Sequence, residues 1–178
     1  MTDAKEYGKA LFLITEEDGV SDKILSDINL TEGVLKANPD YVKLLNSPAL
    51  SKDERVELVG KAFSGIDERL SNLLKLLTER RIMHIFDKAA KTYKTLYDES
   101  RGIVRVEAVT AVPLSDKQAK AIKDKLTYSL RKTIVLSNTV DASILGGVKL
   151  RYSGVQLDGS VRTRLDKFED ALKNTVIQ

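Results

Sequence analysis

Cysteine and tryptophan are absent from the 178 residues, and histidine occurs once, as His84. The first absence removes disulfides, thiolate nucleophiles and cysteine-based zinc sites together. One histidine cannot build a metal-binding pair, and the run Ile82-Met83-His84-Ile85-Phe86 around it reads as the mixed apolar start of a helix. His84 is therefore expected to pack or to face water. Long apolar runs are also missing, since no window approaches the roughly 20 residues that cross a bilayer. The opening Met-Thr-Asp-Ala-Lys-Glu carries both charges, and the run from Ala10 to Ile14 is too short for a secretory core. No signal peptide and no organelle leader is expected, and any membrane association should come through a partner.

Charge is divided unevenly. Residues 1–100 hold 15 Lys or Arg against 18 Asp or Glu, whereas residues 101–178 hold 14 against 8. The balances of −3 and +6 are hidden in the pooled value of +3. A domain commonly holds about 100 to 150 residues, and the charge break favours two small ones, 1–100 and 101–178. A basic second half suits nucleic acid, anionic lipid or an acidic protein surface.

The first half has helical periodicity. Tyr7, Leu11 and Ile14 mark a first helix; Ile24, Leu25, Ile28 and Leu35 a second; Tyr41, Leu44 and Leu45 a third opened by Pro39. Ser51 and Glu54 have the spacing of a capping box, predicting a fourth helix with Val56, Val59, Ala62 and Phe63 inside. Asp67 begins a fifth, rich in leucine, and a sixth runs from about Ile82 through Tyr97. Short connections predict a six-helix antiparallel bundle.

From Gly102 the period becomes two. Ile103 to Val112 reads as a strand, with Val104, Val106 and Ala108 on one face. Pro113 ends it, Ser115 and Gln118 repeat the capping-box spacing, and a helix with Ala119, Ile122, Leu126 and Leu130 follows. Thr133 to Val140, Val148 to Tyr152 and Val155 to Leu157 supply further extended runs. Asp158-Gly159-Ser160 stops the last and is expected to cap a helix bearing Val161, Leu165, Phe168 and Leu172. The expected fold class is therefore α plus α/β, a helical bundle followed by a small α/β domain.

No catalytic, cofactor-binding or metal-binding residue is assigned, because no carboxylate pattern singles out a metal or an acid–base pair. Gly146-Gly147 with Lys149 is not a phosphate loop, since its glycines enter a strand and not a helix. A basic nucleic-acid-binding module is the rival function, but residues 101–178 have only Tyr128, Tyr152 and Phe168 as aromatics, with no stacking pair on a strand. Two helices carry more apolar surface than one stripe requires. In the first, Ala10 to Ile14 surround the axis, and in the fifth Leu73 and Leu76 widen the stripe of Leu70, Leu74 and Leu77. Either both helices are central to the bundle, or together they form a groove for a foreign helix.

Gly146-Gly147, the alternating strand after it, and Asp158-Gly159-Ser160-Val161-Arg162 leading to Arg164-Leu165 resemble the C-terminal signature of one family. It is the delta subunit family of bacterial F-type ATP synthases, whose mitochondrial counterpart is the oligomycin-sensitivity-conferring protein. Tyr7-Gly8-Lys9-Ala10-Leu11-Phe12 is similar to that family's opening helix, and Asn72-Leu73-Leu74-Lys75-Leu76-Leu77 with Glu79-Arg80-Arg81 to its leucine-rich helix. The resemblance spans the chain and implies a non-enzymatic stator without cofactors. One copy per complex would sit peripherally on the cytoplasmic face of the bacterial membrane and bind no nucleic acid.

It further implies that the first and fifth helices receive the N-terminal helix of an alpha subunit, while the second domain meets the C-terminal helices of the b subunits. Matching motif positions carry the first contact to Tyr7, Ala10 and Leu76, and helical spacing adds Ile14 and Leu73. For the second, Lys117, Lys120, Lys123, Lys125, Arg162 and Arg164 offer positive charge to acidic helix ends. Gly146, Gly147, Asp158, Gly159 and Ser160 are expected to be structural, and Arg101-Gly102 to act as a hinge. Gly8 departs from the family's usual alanine, either loosening the helix or permitting a closer approach.

Overall fold

The computed structural model describes residues 4–144, 146–152 and 154–159. Contacts divide the chain into two compact units that part between Asp98 and Glu99. Six α-helices build the first, the last running two residues past that boundary: α1 Ala4–Glu17, α2 Ser21–Ala37, α3 Pro39–Asn46, α4 Lys52–Ala62, α5 Glu68–Glu79 and α6 Phe86–Ser100. His84 is exposed in a 3₁₀ turn, Met83–Ile85, so the sixth helix starts later than its apolar run suggests.

Local side chains set several helix starts. Ser51 and Glu54 exchange hydrogen bonds across the first turn of α4, and Asp67 Oδ1 accepts the Arg69 N–H at the head of α5. Pro39 occupies the first turn of α3, where its missing N–H costs nothing. The core collects leucines of α5 with Ile24 and Ile28 of α2, Val59 of α4, and Phe86 and Tyr93 of α6. Tyr93 is wholly buried, and its ring meets Phe12 edge-on at 5.7 Å. Its hydroxyl donates to the Ser21 carbonyl at 3.1 Å and lies 2.9 Å from the Thr15 hydroxyl, joining α1, α2 and α6.

Gly8 permits a close approach. A Cβ added there would collide with the Ala89 carbonyl oxygen and lie 2.9 Å from Thr92 Cβ, so α1 and α6 touch backbone to backbone. The inner face of α4 differs from expectation. Arg55 is buried while Ala62 is exposed and Val56 only half-buried. The Arg55 guanidinium donates to the Leu50 carbonyl and, at 3.4 Å, to the Thr78 carbonyl in the last turn of α5. The Thr78 carbonyl also accepts the Arg81 N–H at 3.1 Å, so the cation adds a second donor at the negative end of the α5 dipole, which a sequence pattern counting only apolar residues misses.

The second unit contains β1 Ile103–Thr110, α7 Asp116–Leu130, β2 Thr133–Val140, β3 Val148–Tyr152 and β4 Val155–Asp158. Its sheet has the order β2-β1-β3-β4. β1 and β2 are parallel over all eight residues and are joined through α7, whereas β3 and β4 are antiparallel. Ser115 and Gln118 form the predicted capping box of α7. β1 stops at Thr110, two residues short of the expected Val112, and Val109 is buried on the face opposite Val106 and Ala108. The expected helix bearing Val161, Leu165, Phe168 and Leu172 lies outside the described residues, as does Ser160.

Candidate functional site

Along α1, Ala4, Gly8, Leu11, Phe12 and Thr15 are buried, a spacing that keeps one face on the core. Tyr7, Ala10 and Ile14 follow the i, i+3, i+7 line along the flank of that face. Tyr7 is half-buried, Ala10 exposed, and Ile14 exposed to 51%. On α5, Leu70, Leu74 and Leu77 are fully enclosed. Leu73 is 9% exposed at the edge of that stripe, and Leu76, one turn on, is half-buried. The apolar surplus of both helices thus lies on their flanks.

Two polar bridges hold these flanks side by side. Arg80 Nη1 donates to the Tyr7 hydroxyl at 2.8 Å, and Arg69 Nε pairs with Asp18 Oδ2 at 2.6 Å. Tyr7 precedes Asp18 as Arg69 precedes Arg80, so the crossed pairing requires α1 and α5 to run antiparallel. Equal spacing on both helices, about three turns or roughly 16 Å, keeps the register between the bridges. In that register Ile14 falls opposite Leu73, and Ala10 opposite the turn containing Leu76. The result is an apolar strip walled at each end by an arginine. Sequence reading named the strip but missed the arginines, whose partners lie 51 and 73 residues away.

Arg69 has a second partner. Asp67 Oδ1 accepts its guanidinium at 3.2 Å, and Asp67 Oδ2 accepts Lys23 of α2, also at 3.2 Å. Burial pushes the Asp67 carboxyl up, yet the bonds from the Arg69 amide and guanidinium and from Lys23 outweigh it and hold the group below its ordinary value. The Asp67 N–H donates to Asp27 Oδ2 at 2.8 Å. The start of α5 is therefore tied to α2 as well as to the chain after α1.

In the second unit the described glycines that follow β2, and Asp158, lie at the ends of β3 and β4. Gly147 and Gly154 have φ of 88° and 78°, which side-chain-bearing residues rarely adopt, and Gly146 has φ of 155°. Gly159 donates its N–H to the Val148 carbonyl at 3.0 Å. A Cβ on Gly159 would stand 3.1 Å from that same oxygen. Asp158 faces Lys149 across the β3–β4 pair in a 3.4 Å ion pair. On α7 no residue is buried, and Lys117, Lys120, Lys123 and Lys125 are all exposed. Arg162 and Arg164 lie outside the described residues. Among the described residues no helix is long and apolar enough to cross a membrane, and no cluster of His, Asp and Glu could hold a metal ion.

Comparison with known proteins matches residues 4–172 to the family model described as "ATP synthase delta (OSCP) subunit". The ATP synthase subunit delta of Clostridioides difficile is 31% identical over 175 residues, covering 97% of each chain. That of Geobacillus sp. is 32% identical over 170 residues, covering 95% of this chain and 96% of its own. A chain of the Toxoplasma gondii mitochondrial ATP synthase hexamer superposes with a TM-score of 0.73 over 97% of this chain and 98% of its own. At 24% identity that likeness speaks for the fold.

Proposed function

Because this chain belongs to the ATP synthase delta (OSCP) subunit family, and so is a structural stator subunit of an F-type ATP synthase and not a catalyst, we propose that it ties the catalytic head to the peripheral stalk. Rotation in the centre of such a machine exerts torque on the head, and useful work requires that the head be held. Affinity meets that need without chemistry. In this reading the helices of the first unit act as an antiparallel bundle. The strip of Tyr7, Ala10, Ile14, Leu73 and Leu76 receives the N-terminal helix of an alpha subunit. Residues 101–178 form a separate domain that meets the C-terminal helices of the b subunits through its basic surface. The subunit then serves as one copy per complex, peripheral on the cytoplasmic face of the bacterial membrane.

One observation supports the first contact above the others: Ile14 is half exposed on a strip whose two walls are pinned at both ends. An amphipathic helix of about three turns would cover that strip and remove its apolar atoms from water. Leu76→Asp and Ile14→Asp should each abolish binding of an alpha-subunit N-terminal peptide in calorimetry. Both side chains are partly in water, so the thermal transition of the free protein should persist. Unchanged affinity in both variants would move the contact elsewhere.

A further inference from the structure

An uncovered row of backbone donors and acceptors templates another strand, so most edge strands are short, charged, bulged or broken by proline. The two edges of this sheet differ. β4 has four residues and ends on Asp158. β2 has eight, with no charge, proline or glycine, and its register against β1 is unbroken. Val135 and Val140 are exposed to 41% and 48%, and Ser137, Asn138 and Thr139 are exposed too.

Two bonds at its ends fix where its backbone points. The Thr133 N–H donates to the Gly102 carbonyl and the Asp141 N–H to the Thr110 carbonyl, each at 2.9 Å. With a period of two, odd-numbered residues turn toward β1, and Ile134, Leu136, Asn138 and Val140 turn their N–H and C=O groups away. Ile134 is buried, so the open stretch runs from Leu136 to Val140, and no strand among the described residues pairs with it. Beside it lies a groove of about 380 Å³ between β2 and α7, lined by Ala119, Leu136 and Asn138 together with Lys120 and Lys123.

We propose that the open edge of β2 accepts an extended acidic segment of a partner protein as an added strand. Alternate apolar side chains of the segment enter the groove while its carboxylates meet Lys120 and Lys123. Charge selects this occupant over a second copy of the chain, because two β2 edges side by side would bring two lysine pairs together. The inference rests on the reading that the basic second unit meets an acidic partner, and it adds a backbone-paired contact to that reading.

The test uses the full chain, isotopically labelled, with a fluorescein-tagged peptide of alternating valine and glutamate as probe. In the free chain the Leu136 and Asn138 amides should exchange quickly while those of Val135, Ser137 and Thr139 are protected. The probe should raise anisotropy and slow exchange at Leu136 and Asn138 roughly tenfold. N-methylation of alternate bonds in the probe should abolish the effect, and Lys120→Glu with Lys123→Glu should weaken binding roughly tenfold. The strand is overturned if those two amides are already protected in the free chain, or if they become protected through concentration-dependent dimerisation. Equal binding of the methylated probe, with protection on α7, removes the strand and leaves an acidic partner in place. Failure of every acidic probe to bind removes both.

Discussion

Gly8 in α1 and Gly33 in α2 respond in opposite directions to the same added methyl group. Alanine is favoured over glycine in a helix by about 1 kcal/mol, and Gly33 has nothing within 4 Å of the new atom, so Gly33→Ala should stabilise by about 0.5 to 1 kcal/mol. At Gly8 the atom meets the Ala89 backbone, which cannot turn aside as a side chain can. Gly8→Ala should therefore destabilise by about 2 kcal/mol despite its better propensity. Urea denaturation reads both values, and a Gly8→Ala variant as stabilised as Gly33→Ala would refute the close approach of α1 and α6. Asp67 makes a pH-dependent contribution. Its carboxyl is held below the ordinary 3.8, so its stabilisation is complete above about pH 5 and is lost as pH falls through 3.8 and then through the lowered folded value. The gap in urea midpoint between wild type and Asp67→Asn should close on acidification through that window.

At the level of elements, what could be read in advance was what is local. Ser51 with Glu54, Ser115 with Gln118, Pro39 and the period change at Gly102 act within three or four residues, and each left a pattern that the helices and strands obey. Contacts with distant partners left none. Arg55 reads as a solvated charge until α5 places the Thr78 carbonyl beside it, and Arg69 and Arg80 read as surface charge until Asp18 and Tyr7 arrive. The candidate strip was named largely through likeness to a family, since apolar surplus alone fitted a central helix equally well. The two kinds of contact should also differ in strength. Ser51→Ala removes an exposed cap and should cost about 1 kcal/mol, whereas Arg55→Met removes two charge-assisted bonds, the one to Leu50 and the buried one to Thr78, and should cost about 2 to 3 kcal/mol. Thermal denaturation of both variants would reverse this order if Arg55 were merely tolerated.

Across the whole molecule, charge distinguishes the two proposed attachments. Residues 1–100 are slightly acidic and offer an apolar strip, while residues 101–178 carry a balance of +6. Raising salt from about 50 to about 500 mM shortens the Debye length severalfold and should weaken capture of b-subunit helices by roughly tenfold or more. Binding of the alpha-subunit peptide should change little over the same range, because burying apolar surface does not depend on screening. Equal salt sensitivity of the two, measured by calorimetry, would count against assigning them to different surfaces. The crossed bridges of α1 and α5 bear on how such an attachment carries load. A tug along either helix works against two bolts set three turns apart and acting in parallel, so neither can slip past the other by a fraction of a turn without straining both at once.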